Sequence, residues 1–175
     1  MSIARLIAAP LLLVAIVSAR ADALQDAVDA VHRKDYPAAL RTLEPLARAG
    51  QPQAQLQLGL LYFHGHGVRE SDTQATQWFQ LAARQGLAEA QYLLGNMYAY
   101  GLAPVAADAD PQRLAAQWYF EAARQGHAQA QFSLGILFVT GSGVVQDEQE
   151  ARRWMARAAA QGHADAAAYL KGRTD

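Results

Sequence analysis

Residues 90–98, AQYLLGNMY, decide the fold, because the same pattern returns at two other places in the chain. The other copies are residues 54–62 (AQLQLGLLY) and residues 130–138 (AQFSLGILF). A second pattern, Ala-x-x-Trp-x-x-x-Ala-Ala-x-x-Gly, follows each copy and contains Trp78, Trp118 and Trp154. These tryptophans are spaced by 40 and then 36 residues. Periods of this size are typical of helical solenoids.

Both patterns have the spacing of amphipathic helices. In the first repeat, one stripe consists of Ala54, Leu58, Leu61 and Tyr62, and the next consists of Ala75, Trp78, Ala82 and Ala83. A single helix pair cannot bury its own stripes, so neighbouring pairs stack and share a continuous core. The sequence therefore predicts an all-α, right-handed α-α superhelix of stacked antiparallel helix pairs.

Glycines occupy two fixed places in each repeat. Inside the first helix stand Gly59, Gly95 and Gly135, although glycine costs about 1 kcal/mol there relative to alanine. This recurrence predicts close approach of the second helix, with the tryptophan providing the bulk beside the glycine. After the second helix stand Gly86, Gly126 and Gly162, which suit the left-handed residue that ends a helix.

Capping residues and closing glycines divide the chain into units. Capping boxes are predicted at Ser71-x-x-Gln74 and Asp147-x-x-Glu150, and Asp110 precedes a first-turn proline. The predicted units are a capping pair at 24–50, repeats at 51–86, 87–126 and 127–162, and a capping helix at 163–175. The middle repeat has four extra residues in the loop around 103–111.

Residues 1–23 have the layout of a secretory signal peptide. Arg5 precedes an apolar run at 6–17, and small-x-small sites end at Ala21 and Ala23. The run is shorter than the roughly 20 residues that a transmembrane helix needs. We therefore expect a periplasmic or secreted protein with no stable membrane span after processing. An uncleaved N-terminal anchor is the alternative.

Composition argues against several classes of function. The net charge of −1 and the mixed signs along the chain provide no basic surface for nucleic acid. The absence of cysteine removes disulfide and thiolate chemistry. No serine lies in a known nucleophile motif. His64 and His66 could suggest a metal site, but two ligands are too few to hold a zinc ion. We expect no enzymatic activity, no cofactor and no metal.

These patterns resemble the Sel-one-like repeat (SLR) family, a relative of the tetratricopeptide repeats. The resemblance covers about residues 51–170 and includes Gly-x-Gly-Val loops at 65–68 and 141–144, whereas the middle copy reads GLAPV at 101–105. It implies a superhelical adaptor for protein or peptide partners, which in bacteria is often exported and linked to envelope or host-interaction roles. Relatives linked to β-lactam binding are cysteine-rich, unlike this chain.

A second face of the first helices is the predicted partner site, and we call it the groove row. Its members are Leu56, Leu60, Phe63, Tyr92, Asn96, Tyr100, Phe132, Ile136 and Thr140. First helices of a superhelix with this handedness line its concave surface, and aromatic and aliphatic side chains there suit a bound peptide. Alternatively, these residues pack between neighbouring first helices. The alternative function is an envelope hydrolase of β-lactam or cell-wall chemistry, which would need a catalytic cluster in this groove.

Overall fold

The computed structural model describes residues 21–172, which form nine helices that follow one another in a stack. Helix α1 covers residues 21–32, and the others are α2 (Tyr36–Arg48), α3 (Pro52–His64), α4 (Asp72–Arg84), α5 (Ala88–Ala99), α6 (Pro111–Arg124), α7 (Ala128–Thr140), α8 (Glu148–Ala160) and α9 (Ala164–Lys171). From α2 onward, each helix packs against its neighbours in the chain. The predicted all-α superhelix is confirmed. Most of the predicted signal segment, residues 1–20, lies outside the described residues.

Each repeat is a pair of helices whose apolar stripes meet. The pairs are α3 with α4, α5 with α6, and α7 with α8. Ala54, Leu58 and Leu61 are at most 1% exposed, as the helical spacing predicted. The core continues from one pair to the next, because buried residues of α4 to α8 belong to one cluster. The repeats therefore share one elongated core.

The glycines inside the first helices do mark close approach, but the side chain beside them is not the predicted tryptophan. A Cβ at Gly95 would lie 2.6 Å from two ring carbons of Tyr119, the residue after Trp118. Likewise, Gly59 faces Phe79 and Gly135 faces Met155. Successive helix residues point about 100° apart. The residue that follows the tryptophan lies four positions after the first alanine of the stripe. The two residues therefore share a helix face, which is the face turned to the first helix.

Trp78 and Trp154 lie where neighbouring helix pairs meet. The rings of Trp154 on α8 and Phe120 on α6 meet edge to face, with centroids 5.9 Å apart. Trp78 packs against a cluster formed by residues of α1, α2 and α3. Trp154 is 5% exposed, whereas Trp118 is only half-buried. Trp154 therefore contacts the preceding repeat, and Trp78 packs against both its own pair and the helices before it.

The second helices begin and end with the predicted residues. The closing glycines Gly86, Gly126 and Gly162 have φ angles of 89°, 90° and 89°, in the left-handed region. Side chains of Ser71, Asp110 and Asp147 accept hydrogen bonds from first-turn backbone N–H groups. In the two predicted capping boxes, the backbone N–H of the cap residue donates to a backbone carbonyl of the first helix. The Ser71 N–H donates to the Tyr62 carbonyl, and the Asp147 N–H donates to the Phe138 carbonyl. These bonds fix the angle between the paired helices.

Loops inside the repeats pack against the preceding second helix. A Cβ at Gly143, whose φ is 70°, would lie 2.3 Å from the Gln112 carbonyl at the start of α6. A Cβ at Gly67 would likewise lie 2.5 Å from the Cβ of Tyr36 on α2. The middle repeat has Ala103 at the equivalent position, where it is 7% exposed. A side chain cannot enter so narrow a gap, so the middle loop takes a different path.

Candidate partner-binding surface

Three buried glutamines hold the first helices in place, and we call their hydrogen bonds the glutamine junctions. The Gln91 amide donates to the Ala83 carbonyl on α4 at 3.1 Å and accepts from the Gln125 amide at 2.7 Å. Gln55 makes the same bonds with Ala47 and Gln85, and Gln131 makes them with Ala123 and Gln161. An unpaired buried polar group costs about 1–3 kcal/mol. Each junction therefore sets the register of three successive helices.

The groove row is divided between the surface and the core. Tyr100 is 74% exposed, Ile136 is 36% exposed, and Thr140 is also exposed. Leu56 is only 8% exposed and belongs to the core, and the half-buried members Leu60 and Phe63 pack against the same cluster. First-repeat members of the row thus contribute to packing between helices. The accessible part of the row lies in the second and third repeats.

Tyr92 and Phe132 are half-buried and stack on histidine rings. Tyr92 lies 4.7 Å from the ring of His127, and Phe132 lies 4.3 Å from the ring of His163. Both histidines cap the next helix, since their Nδ1 atoms accept backbone N–H bonds at 3.2 and 3.4 Å. This capping role is not evident from the sequence pattern. Each histidine ring is held by its capping hydrogen bond, so stacking on it holds the aromatic side chain in one orientation.

His127 also links two first helices through a carboxylate. Its Nε2 atom lies 2.9 Å from a carboxylate oxygen of Glu89 on α5. Because Nδ1 already accepts the capping bond, Nε2 carries the proton and donates a hydrogen bond to the Glu89 carboxylate. This hydrogen bond lowers the pKa of Glu89, although partial burial opposes the effect. Glu89, His127 and Tyr92 therefore form one connected contact between α5 and the start of α7.

Asn96 is engaged by a buried tyrosine. Its side-chain carbonyl accepts a 2.7 Å hydrogen bond from the hydroxyl of Tyr119, which is 4% exposed. Burial raises the pKa of Tyr119 above its ordinary value of 10.0, and the nearby Tyr100 and Tyr92 raise it further. The hydroxyl therefore stays protonated as a donor at physiological pH. The bond uses the side-chain carbonyl of Asn96 and not its NH2 group.

The two loop histidines make aromatic contacts. The His64 and His66 rings lie 5.3 Å apart, and His66 stacks on Tyr36 at 4.7 Å. His64 meets Phe63 edge to face at 5.0 Å. Between residues 21 and 172, no three His, Cys, Asp or Glu residues are grouped so that they could hold a metal ion. Ring packing accounts for both histidines.

The second helices border a recess that the sequence analysis missed. It lies between α4, α6, α7 and the loop before α8, has a volume of about 680 Å³, and contains no member of the groove row. Leu114 and Phe120 contribute to its lining. In the other repeats, the position of Leu114 is occupied by Gln74 and Glu150, and that of Phe120 by Gln80 and Ala156. This departure from the repeat pattern is the signal that could have revealed the recess.

Comparison with known proteins agrees with this architecture. The family model of the Sel1 repeat matches residues 52–87, 88–127 and 128–163. The structure of a Sel1 repeat protein from Oxalobacter formigenes is similar, with a TM-score of 0.74 and 34% identity over 82% of this chain and 57% of that chain. A protective antigen present in uropathogenic Escherichia coli strains and displaying an SLR fold has a TM-score of 0.71 and 34% identity, over 76% of this chain and 28% of that chain.

A third similar structure is the cysteine rich protein B of Helicobacter pylori. Its TM-score is 0.55 at 19% identity, over 83% of this chain and 96% of that chain, so the similarity shows a common fold alone. A search of curated proteins gave no significant match.

The stacked helix pairs and their repeated junctions define a helical-repeat scaffold related to the tetratricopeptide repeats. The chain belongs to the Sel1 repeat family. This family is generally a non-catalytic scaffold fold that mediates protein interactions. The chain spans 57% and 28% of the lengths of the Oxalobacter and Escherichia relatives. None of the helices in the described part of the chain is long and apolar enough to cross a membrane.

Proposed function

We propose that this protein is an exported Sel1 repeat scaffold that binds a protein or peptide partner in the bacterial envelope. Its role is binding and not catalysis, and the partner surface is the accessible part of the groove row. The observation that carries this proposal is the 74% exposure of Tyr100 at the end of α5. The equivalent positions hold His64 and Thr140. Packing of the repeat therefore does not require an aromatic side chain at Tyr100.

Neighbouring members of the row support the same assignment. Ile136 is 36% exposed on α7, while Tyr92 and Phe132 are fixed by their stacking on histidines. Exposed apolar side chains that lie together usually mark an interaction site. Aromatic side chains held in one orientation lose little entropy on binding, and they often supply much of the binding energy. This surface suits an apolar stretch of a partner polypeptide.

Export is supported by the sequence of residues 1–23, with its basic start, short apolar run and small-x-small sites. We expect cleavage after Ala21 or Ala23. Intact mass of the protein purified from a periplasmic fraction measures the cleavage site directly. A mass that retains residues 1–21 would instead favour the uncleaved anchor.

Partner binding is tested by capture followed by calorimetry. The tagged mature protein captures its partner from periplasmic extract, and calorimetry then measures the affinity of variants for the purified partner. Tyr100→Ala should weaken binding by about 5- to 30-fold, since an aromatic anchor contributes about 1–2 kcal/mol. Ile136→Ser should also weaken binding, because it removes apolar contact area.

The matched control is Arg124→Gln on the second helix α6. Arg124 is exposed and pairs with Glu121 at 3.4 Å, so its replacement should change the affinity less than twofold. Circular dichroism checks that each variant is folded. If Arg124→Gln abolished binding while Tyr100→Ala had no effect, the groove row would not be the partner surface.

A further inference from the structure

The recess beside the second helices has the composition of a ligand site. Its walls include the aromatic rings of Trp118, Phe120 and Phe138 and the aliphatic side chains of Leu114 and Val144. Its volume of about 680 Å³ lies within the range of roughly 300–1,000 Å³ that is common for small binding sites. Phe120 is 41% exposed. The recess can therefore take up one or two large apolar side chains.

The repeat pattern does not require an apolar residue at Leu114 or Phe120, which both line this recess. The third repeat packs with Ala156 at the position of Phe120, and the first repeat packs with Gln80 there. The Phe120 ring meets Trp154 edge to face, yet 41% of the residue stays exposed in the isolated protein. Its burial by a bound partner would gain about 25 cal/mol per Å² of covered apolar area.

Two arginines give the recess a positive charge. Arg84 and Arg113 line it, and within residues 21–172 neither forms an ion pair. The counterpart of Arg84 in the next repeat, Arg124, pairs with Glu121 at 3.4 Å. Arg84 cannot form this ion pair, because Leu81 stands at the position equivalent to Glu121. Guanidinium groups that lack a partner are well suited to bidentate recognition of carboxylates.

The acidic groups near the recess are already engaged. Glu121 lines the recess but pairs with Arg124. The carboxylate of Asp110 caps α6 by accepting the backbone N–H groups of Gln112 and Arg113. The side chains of Arg84 and Arg113 are therefore the charges that remain for a ligand.

We propose that this recess is a second partner site, which binds a peptide segment of a protein partner carrying a carboxylate beside a large apolar side chain. The apolar side chain packs against Trp118 and Phe120, and the carboxylate pairs with Arg84 or Arg113. The site contains no member of the groove row, so it goes beyond the proposed function, which uses that row. A single chain then holds two segments of one partner, or two partners, on different faces.

The test selects peptides on the protein itself. A display library of random nine-residue peptides is panned against the protein, and enriched sequences are synthesised with a fluorescent label for polarisation measurements. We expect the enriched peptides to carry Asp or Glu within three residues of Phe, Trp, Tyr, Leu or Ile. Replacing their acidic residues by the corresponding amides should weaken binding at least tenfold.

Variants then locate the bound peptide. Arg84→Gln with Arg113→Gln should weaken binding at least tenfold, and Phe120→Ala should do the same. The latter introduces the residue that the third repeat has at this position. Because it also removes the ring contact with Trp154, circular dichroism checks that the variant is folded. Arg41→Gln is the charge control, because Arg41 lies exposed on α2 away from the recess, and it should change binding less than twofold.

A variant of the groove row separates this proposal from the first one. Tyr100→Ala should leave these acidic peptides bound with unchanged affinity. The recess proposal is overturned if the enriched peptides lack acidic residues, if the Arg84 and Arg113 variants bind them normally, or if no peptide is enriched. Peptides that depend on Tyr100 and not on Arg84 or Arg113 would overturn the recess proposal while supporting the groove row.

Discussion

Replacement of the helix glycines by alanine tests the packing inside each pair, and the result should depend on the facing side chain. In Gly95→Ala, the new Cβ would lie 2.6 Å from two carbons of the Tyr119 ring. Ordinary carbon contacts are about 3.5–4.0 Å, so the ring must retreat by roughly 1 Å. Tyr119 is 4% exposed and its hydroxyl is bonded to Asn96 at 2.7 Å. The ring therefore has little room to move.

Gly135→Ala is the matched comparison in the third repeat. Its new Cβ would lie 2.9–3.1 Å from side-chain atoms of Met155, which is unbranched and can change rotamer. Overpacking costs about 1–3 kcal/mol, while alanine gains about 1 kcal/mol over glycine in a helix. We expect Gly95→Ala to destabilise the protein by about 1–2 kcal/mol, at the upper end of overpacking, and Gly135→Ala to be nearly neutral.

Urea unfolding followed by circular dichroism measures both variants, and thermal melts should show a shift of roughly 2–8 °C for Gly95→Ala. Adding Tyr119→Met to Gly95→Ala creates the same alanine–methionine pair that Gly135→Ala creates in the third repeat. A double-mutant cycle should then show a favourable coupling of about 1 kcal/mol. If Gly135→Ala destabilised the protein as much as Gly95→Ala, the flexibility of the facing side chain would not decide the cost.

Three further predictions concern stability. Trp154→Ala should cost about 3–5 kcal/mol and exceed the cost of Trp118→Ala in urea unfolding, because Trp154 is buried and Trp118 is half-buried. Gln91→Leu should cost about 1–3 kcal/mol in the same assay, since the buried Ala83 carbonyl loses the hydrogen bond from the Gln91 amide. The hydrogen bond from His127 lowers the pKa of Glu89 below its ordinary 4.5. The contribution of this bond is therefore present above pH 4.5 and is lost as the pH falls through the lowered pKa. Glu89→Gln should reduce the melting temperature at pH 6, and the difference from the parent should shrink at pH 3.

The helical architecture followed from the sequence because periodicity reports burial directly. Ala54, Leu58 and Leu61 share one face of a helix, and a face of this kind must be covered. The closing glycines were equally predictable, since φ near 90° strongly favours glycine. The identification of Trp118 as the neighbour of Gly95 was wrong. Spacing gives the residues of a stripe, but the rotation of one helix against another decides which of two adjacent large residues fills the gap.

The candidate site was less accessible to sequence reasoning. Leu56 and Ile136 carry similar side chains in the groove row, yet Leu56 is 8% exposed and Ile136 is 36% exposed. Their exposure depends on neighbours supplied by other repeats, and the helical pattern does not contain that information. Whether the row binds a partner stays a prediction. The glutamines of the junctions recur visibly in the sequence. Their hydrogen-bond partners lie 8 and about 30 residues away, and a helical pattern, which relates residues three or four apart, does not predict them.

The glutamine junctions also make the repeats interchangeable. Gln91 and Gln131 each bond to the carbonyl eight residues before them. Removal of residues 88–127 would therefore bring Gln131 eight positions after Ala83, ready to make the bond that Gln91 makes now. A gene that encodes such an array can gain or lose whole repeats, and the same glutamine junction forms at each new boundary. The length of the stack can then evolve in steps of one repeat, while each glutamine junction stays the same. The distance between the partners that the stack holds would change in the same steps.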